Sequence, residues 1–183
     1  MTLLAGQPMV LHVARTLEEV ADEVMIAVAQ GKAADYLRVL GRRYAVVEDS
    51  RPEGGPLVGI IAGFEALDSE YVMVSPCDTP LVLKAVCELT VEKSQGRDGA
   101  VPVTNGFLEP LHGCYRRDRG LRTFRNALRD GRLKLQAVVE DLDLVRLDEE
   151  SLRLLDPNLE SFWNVNTPAE LKRARELMAK RRH

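Results

Sequence analysis

This sequence lacks several features that would assign a protein to a class at once. No apolar run reaches the roughly 18 residues of a transmembrane helix, so we expect no membrane span. The 25 Lys and Arg residues do not exceed the 28 Asp and Glu residues, and the net charge is −3. Because nucleic-acid binders usually carry a basic excess, this balance disfavours that class. The N-terminus shows no signal-peptide pattern.

Cysteine is also scarce. The three cysteines, Cys77, Cys87 and Cys114, are odd in number and are not spaced as metal ligands. We therefore expect no disulfide framework and a reducing, cytoplasmic location. Cys77 is better explained as a small buried residue than as a nucleophile, because no histidine lies near it in sequence.

The remaining pattern is that of an α/β protein. With 183 residues, the chain is expected to form one domain over residues 1–183. Short apolar runs alternate with helical periodicities, which favours a mostly parallel sheet with helices on both faces. Predicted strands are 24–29, 44–47, 71–75, 99–103, 110–117 and 142–147; predicted helices are 8–22, 31–37, 56–67, 80–96, 117–129 and a tail from Thr167.

The first candidate site is the loop E-D-S-R-P-E-G-G-P-L after the strand at 44–47. Ligands of open α/β sheets bind beyond the carboxyl ends of the strands, where Asp49 is predicted. Gly54 and Gly55 leave backbone N–H groups accessible, and the helix beginning at Pro56 adds partial positive charge. This suits an anionic or phosphorylated ligand. The alternative is a plain connection that needs glycine for its turn.

The second candidate is the loop V-S-P-C-D-T-P, in which Asp78 lies just beyond a strand. Mg²⁺ is typically held by one or two carboxylates together with substrate phosphates and water, so one aspartate here is sufficient. The alternative is that Asp78 or Thr79 caps the helix expected after Pro80.

The third candidate is F-W-N-V-N-T-P-A-E-L. Asn164 and Asn166 alternate along an extended segment, so their side chains share one face and offer amides to a polar ligand. The alternative is turn and cap chemistry before the tail helix, for which Thr167, Pro168 and Glu170 are in capping-box register. Other polar residues favour packing roles, including His112 in a predicted strand.

Together, the segments VVEDSRPEGGPLVGI, SPCDTPLV, EPLHGCYRR and WNVNTPAEL resemble those of the molybdenum cofactor guanylyltransferases, in the same order and spacing. The resemblance covers nearly the whole chain. It implies a Rossmann-like nucleotidyltransferase fold. It also implies transfer of GMP from Mg-GTP to molybdopterin or its molybdenum form, with release of pyrophosphate, and molybdoenzymes as possible recipients of the product.

The same resemblance assigns roles to individual residues. Asp49, with Gly55, Pro56 and Leu57, corresponds to nucleotide-binding positions. Asp78 corresponds to the catalytic aspartate that binds both nucleotide and Mg²⁺. Asn164 and Asn166 correspond to the substrate end of the cleft, and related cytidylyltransferases tend to carry acidic residues there, which favours GTP over CTP.

One part of the family pattern does not match. Members begin with a strand and a Gly-rich loop, L-A-G-G-x-S-x-R-M-G-x-D-K, whose lysine neutralises phosphates. MTLLAGQPMVLHV corresponds to the segment after that lysine. We therefore expect a sheet without its first, central strand, and neighbours with unpaired edges. We expect the natural chain to extend upstream; a shortened non-catalytic relative, or a substitute edge formed by residues 1–5, are the alternatives.

Two other functions remain open at this stage. One is a different nucleotidyltransferase, using CTP or another phosphate acceptor. The other is a binding module that recognises a pterin cofactor or a molybdoenzyme without turnover, which the absent Gly-rich loop favours.

Overall fold

The computed structural model describes residues 2–49 and 53–181. Its strands are β1 (Leu3–Leu4), β2 (Gln7–Pro8), β3 (Met25–Val28), β4 (Ala45–Glu48), β5 (Tyr71–Met73), β6 (Gly99–Thr104), β7 (Phe107–Leu108), β8 (Cys114–Arg116) and β9 (Leu144–Leu147). Its helices are α1 (Met9–Glu18), α2 (Ala33–Leu40), α3 (Pro56–Ala66), α4 (Lys84–Ser94), α5 (Arg117–Arg129), α6 (Leu135–Val139), α7 (Glu149–Leu155) and α8 (Pro168–Arg181). Across this part of the chain, no helix combines the length and apolarity needed to cross a membrane.

The sheet is built in two parts. In the smaller part, β3 pairs in parallel with β4, with Met25 opposite Ala45. In the larger part the order is β5-β8-β6, with β9 on the far side of β6 and β7 on the end of β6. β8 is antiparallel to both of its neighbours, while β9 is parallel to β6. β5, β6 and β9 therefore run in one direction, which confirms the predicted α/β class with mostly parallel strands.

The two parts meet across a slot between β3 and β5. Within the described residues β3 pairs with β4 alone and β5 with β8 alone. The Val28 carbonyl faces β4, and the Val74 N–H faces β8. Backbone groups alternate sides along a strand, so those of Ala27 and Met73 face the slot. The predicted gap in the sheet is therefore present.

The first residues of the chain do not fill this slot. Leu3–Leu4 pairs antiparallel with Gln7–Pro8, through a turn in which Ala5 and Gly6 have positive φ of 49° and 80°. Leu4 is fully buried in an apolar cluster with Leu81 and Val165. The alternative of a substitute edge is therefore wrong for residues 2–5, because burial of Leu4 holds this hairpin elsewhere; Met1 lies outside the described residues.

An aromatic cluster joins the larger part of the sheet to its helices. Phe64 on α3, Tyr115 on β8 and Phe124 on α5 lie with ring centroids 5.4–6.4 Å apart. Two of the three pairs meet edge to face, an arrangement that the ring quadrupoles favour. The Tyr115 hydroxyl donates to the Pro110 carbonyl at 2.6 Å, so its burial leaves no polar group unpaired.

Several predicted elements have different bounds in the structure; the helix expected at 8–22, for example, is Met9–Glu18. The strand expected at 110–117 is a 3-10 turn over Pro110–His112 followed by β8. Pro110 lacks an N–H for pairing, and the His112 N–H bonds the Glu109 carbonyl instead. Helix α4 begins at Lys84 rather than just after Pro80, because the intervening residues form turns. The short elements β7, α6 and α7 were not predicted, whereas the bounds of α5 agree.

His112 packs in the interior, as the sequence favoured. Its ring meets Phe162 edge to face at 5.0 Å between centroids. Neither ring nitrogen has a hydrogen-bond partner among the described residues. Burial lowers the pKa of His112 to about 4, and the nearby Ser161 backbone opposes that shift only in part.

This buried histidine predicts a stability that depends on pH. The folded pKa lies below the unfolded value of about 6.5, so the unfolded chain binds the extra proton and stability falls as pH drops from about 6.5 towards 4. The contribution approaches 1.4 kcal/mol per pH unit, by order of magnitude. Urea titrations from pH 7 to 4.5 should show a shallower decline for His112→Phe. His12→Gln is the control, and an equally shallow decline in that variant would contradict the assignment to His112.

The aromatic cluster predicts opposite effects for two helical glycines. A Cβ at Gly120 would lie 2.9 Å from Phe64 and 3.3 Å from Phe124, whereas a Cβ at Gly63 meets nothing within 4 Å. Gly120→Ala should lower the free energy of unfolding by about 1–3 kcal/mol through overpacking. Gly63→Ala should raise it by up to about 1 kcal/mol through helix propensity. Chemical denaturation measures both changes. Stabilisation by Gly120→Ala would contradict the overpacking, because it would show that the aromatic rings shift to make room for the added methyl group.

Candidate functional site

Asp49 lies where the smaller part of the sheet ends. Its N–H donates to the Val28 carbonyl at 2.8 Å, which continues the pairing of β4 with β3 and fixes the backbone. The Asp49 Oδ1 atom is buried and has no hydrogen-bond partner among the described residues. A Cβ at Gly59 would stand 3.2 Å from this oxygen, so the carboxyl lies against α3. Burial raises the pKa of Asp49.

The predicted nucleotide loop leads into α3. Gly55 has a φ of +58°, which favours glycine, and Pro56 occupies the first helical turn as expected. Gly55 and Pro56 are exposed, whereas the Leu57 side chain is fully buried in the core. Leu57 therefore offers its backbone N–H, not its side chain, to a ligand at the helix N-terminus. Ser50, Arg51 and Pro52 of this loop lie outside the described residues.

The loops after β4 and β5 share one cavity. The cavity has a volume of about 310 Å³ and occupies the slot between β3 and β5. Asp49, Gly55 and Pro56 line one side, and Ser75 and Cys77 line the other. Cys77 is exposed, so the expectation of a buried residue is wrong, because Cys77 lies on a turn beyond the end of β5. The Ser75 Oγ atom is buried without a hydrogen-bond partner in this part of the chain. Two of the residues that line the cavity therefore each carry a buried, unsatisfied oxygen near the carboxyl ends of the strands.

Asp78 follows this cavity wall directly. Asp78 is partly buried, and no described group donates a hydrogen bond to its carboxylate. Asp78 does not cap α4, because the N-cap of that helix is Leu83, without a side-chain hydrogen bond. Thr79 does not cap it either, since its hydroxyl donates to the Pro76 carbonyl at 3.1 Å. Capping of α4 by Asp78 or Thr79 is therefore wrong, and the Asp78 carboxylate has no hydrogen-bond donor in the part of the chain that the structure describes.

The asparagine segment lies beside Asp78. The Val165 N–H donates to the Asp78 carbonyl oxygen at 2.8 Å. Val165 is buried, while Asn164 and Asn166 on either side are exposed, as the alternation predicted. The helix-start prediction is also confirmed, because Glu170 accepts from Asn166 and Thr167 N–H groups, each at 2.8 Å. Cap chemistry therefore involves Thr167 and Glu170 and leaves both asparagine side chains available.

A second recess adjoins Asn164. It has a volume of about 350 Å³ and is lined by Trp163, Asn164, Glu170 and Arg173 among others. The Arg173 guanidinium lies 3.7 Å from the centroid of the Trp163 ring, at the distance of a cation–π contact. Sequence reasoning missed Arg173 because helical spacing shows only that it is exposed. It missed Ser75 as well, whose one signal is its position in the S-P-C-D loop.

The few charged side chains of this region suit a metal ion that is held mainly by the phosphates of a bound nucleotide and by water. The cavity lining contains no Lys or Arg among the described residues. Within the same residues, no group of three His, Cys, Asp or Glu side chains has the geometry to hold a metal ion. A free carboxylate at Asp78 fits Mg²⁺ that takes its other ligands from phosphates and water.

The chain matches known proteins over most of its length. Residues 1–147 match the model of the MobA-like NTP transferase domain. The chain is 35% identical over 173 residues to the molybdenum cofactor guanylyltransferase of Desulfosudis oleivorans, covering 94% of this chain and 83% of that protein. It is 36% identical over 172 residues to the probable molybdenum cofactor guanylyltransferase of Pelotomaculum thermopropionicum, covering 92% and 80%.

Solved structures agree with this match. Molybdopterin-guanine dinucleotide biosynthesis protein A from Archaeoglobus fulgidus superposes with a TM-score of 0.82 at 26% identity, covering 98% of this chain and 89% of that chain. The 2-C-methyl-D-erythritol 4-phosphate cytidylyltransferase of Thermus thermophilus superposes with a TM-score of 0.72 at 15% identity, covering 97% and 92%, and therefore shares the fold. The fold, the sequence match and the paired loops agree, and this chain belongs to the MobA-like NTP transferase domain family.

Proposed function

We propose that this chain transfers GMP from GTP to the phosphate of molybdopterin, with Mg²⁺, and releases pyrophosphate. Family membership and the names of its relatives support a guanylyltransferase. One observation carries the assignment to residues. The Val165–Asp78 hydrogen bond brings the free carboxylate beside the asparagine pair, while Cys77 next to it lines the cavity of Asp49. One site thus joins a nucleotide side to an acceptor side.

On the nucleotide side, Asp49 is suited to hold guanine. A carboxylate accepts two hydrogen bonds, and guanine presents adjacent N–H donors at its ring nitrogen and its amino group. Asp49 lines the cavity, and its Oδ1 atom has no hydrogen-bond partner among the described residues. The backbone at Gly55, Pro56 and Leu57 begins α3, whose N-terminus favours the negative charge of a phosphate.

Asp78 is suited to hold the metal and to act as the catalytic aspartate. Bound Mg²⁺ would screen the triphosphate and stabilise the charge that builds on departing pyrophosphate. Asp78 contributes the anchoring oxygen, and its position follows from the backbone bond to Val165. Since no basic side chain lines the cavity in the described residues, neutralisation of the triphosphate charge would depend strongly on the Mg²⁺ that this carboxylate would hold.

On the acceptor side, Asn164 and Asn166 direct exposed amides to one face and are suited to orient molybdopterin. A phosphate oxygen of the acceptor forms a bond to the α-phosphorus of GTP. The bond from that phosphorus to the bridging oxygen breaks, and its electrons leave with pyrophosphate. The chain forms no covalent intermediate in this reaction, and its residues act by positioning and charge.

A second candidate is binding of nucleotide and cofactor without turnover. The absence of Lys and Arg from the cavity lining, within the described residues, favours it. Both candidates predict nucleotide binding, and they differ in pyrophosphate release when GTP, Mg²⁺ and molybdopterin are present together. Release supports transfer, whereas binding without release supports the second candidate.

The metal role of Asp78 predicts a specific loss of ligand binding. With GTP and Mg²⁺ at about 100 times the dissociation constant, the melting temperature should rise by about 5–10 °C. CTP, ATP and UTP, or GTP without Mg²⁺, should give little change. Asp78→Ala should abolish the Mg²⁺-dependent rise, as measured by differential scanning fluorimetry.

The matched control is Asp68→Ala, because Asp68 is exposed and its nearest cationic partner, Arg117, is 3.9 Å away. This variant should keep the full response to GTP and Mg²⁺. An unchanged response in Asp78→Ala would remove Asp78 from the metal role. A response to CTP instead of GTP would identify a cytidylyltransferase.

Asp49 predicts two opposite changes in one variant. Asp49→Asn removes a buried carboxylate oxygen without a partner, so the ligand-free melting temperature should rise by about 2 °C. The GTP-induced rise should shrink by about 3–6 °C, since a charged hydrogen bond is lost. Asp68→Asn should change neither value. A lower ligand-free melting temperature with an intact GTP response would assign Asp49 a structural role.

A further inference from the structure

The segment that carries Asp78 has little regular structure of its own. Residues 74–83 connect β5 to α4 through turns and extended backbone. Neither a strand pairing nor a helix fixes Asp78 within this loop, which we call the Asp78 loop. Its geometry must therefore depend on contacts with other parts of the chain.

Several of those contacts come from residues 156–181, here called the C-terminal segment. Three hydrogen bonds join it to the Asp78 loop. The Asp78 carbonyl accepts from the Val165 N–H at 2.8 Å. The Leu83 N–H donates to the Ser161 hydroxyl at 3.1 Å, and the Leu81 carbonyl accepts from the Arg181 guanidinium at 2.9 Å.

Arg181 makes the most specific of these contacts. One terminal nitrogen bonds the Leu81 carbonyl, and the other bonds Glu160 at 2.6 Å. The Glu160 side chain is 11% exposed and that of Arg181 is 33% exposed, so the carboxylate is largely withdrawn from water while the guanidinium is partly exposed. A planar guanidinium can serve both partners at once, whereas the single ammonium of lysine cannot match that fork.

Glu160 is itself held in a buried turn. Asp156, which is 2% exposed, accepts from the Glu160 N–H at 3.1 Å and from the Ser161 N–H at 2.7 Å. The same turn therefore presents the Glu160 carboxylate to Arg181 and the Ser161 hydroxyl to Leu83. Burial of these charges and polar groups makes the arrangement rigid, because each would lose its partner if the turn moved.

We propose that Arg181, paired with Glu160, is a positioning residue that sets the Asp78 loop for metal binding. This inference rests on the proposed function, in which Asp78 holds Mg²⁺. Arg181 acts on the backbone at Leu81 and does not touch the ligand. A displacement of about 1 Å in a catalytic group can cost as much as 100-fold in rate. The contact of Arg181 with Leu81 and Glu160 can therefore control metal affinity.

The first test measures the loop without reference to activity. Amide hydrogen exchange at Leu83 and Val165 should become about tenfold faster in Arg181→Gln, since local opening breaks the bonds by which these two amides join the Asp78 loop to the C-terminal segment. Exchange at Val101 in β6 should not change. Unchanged exchange at Leu83 and Val165 would overturn the proposal.

The second test measures the metal. The Mg²⁺ concentration that gives half of the GTP-induced thermal stabilisation should rise about tenfold in Arg181→Gln and less in Arg181→Lys. In an Asp78→Asn background, Arg181→Gln should cause no further change, because both substitutions act through the same carboxylate. Additive effects in that background would overturn the positioning role.

The matched control is Arg153→Gln. Arg153 also joins one carboxylate, Glu149, and one carbonyl, that of Pro157, but it does not contact the Asp78 loop. It should lower the melting temperature about as much as Arg181→Gln while the Mg²⁺ requirement stays at the wild-type value. Faster exchange in Arg181→Gln with an unchanged Mg²⁺ requirement would overturn the positioning role, because it would show that Arg181 stabilises the loop without affecting metal binding. If wild-type protein gave no response to GTP and Mg²⁺, the proposed function would fail, and the exchange data would still decide whether Arg181 holds the loop.

Discussion

The interruption of the sheet between β3 and β5 is the constraint on which the rest of the structure depends. No strand pairing crosses it in the described residues, so helices must join the two parts. Side chains of α1, among them Val13, and of α3, among them Ile60, line both its faces. The strands therefore present their carboxyl ends to a shared cavity, and the loops that follow β4 and β5 face each other across it.

The two carboxylates of the site are held in different ways. Asp49 continues the pairing of β4, and its backbone bond to Val28 is local to the sheet. Asp78 lies on irregular backbone, and its carbonyl is held by Val165, far along the chain. The proposed nucleotide side is therefore built by the sheet, whereas the backbone of the proposed metal side is held by the C-terminal segment. This difference is the reason for the proposal that Arg181, far from the cavity, positions Asp78.

The site also contains buried oxygens without hydrogen bonds, which are unfavourable for folding and which packing alone does not explain. Asp49 Oδ1 and Ser75 Oγ are buried without partners in the described part of the chain, although native proteins pair nearly all such atoms. Burial further raises the pKa of Asp49, as expected of a group held for a ligand rather than for stability. His112 is also unpaired, but its ring packs on Phe162, away from the cavity lining.

Local patterns in the sequence determined the elements and much of the site. The span of α5, the capping box at Thr167 and Glu170, and the alternate exposure of Asn164 and Asn166 all follow from interactions within a few residues. Tertiary structure alone decided that α4 starts at Lys84, that Ser75 is buried without a partner, and that Arg181 reaches the carbonyl of Leu81, 100 residues away. Periodicity and caps record neighbours along the chain, whereas such contacts depend on which surfaces meet after the helices pack.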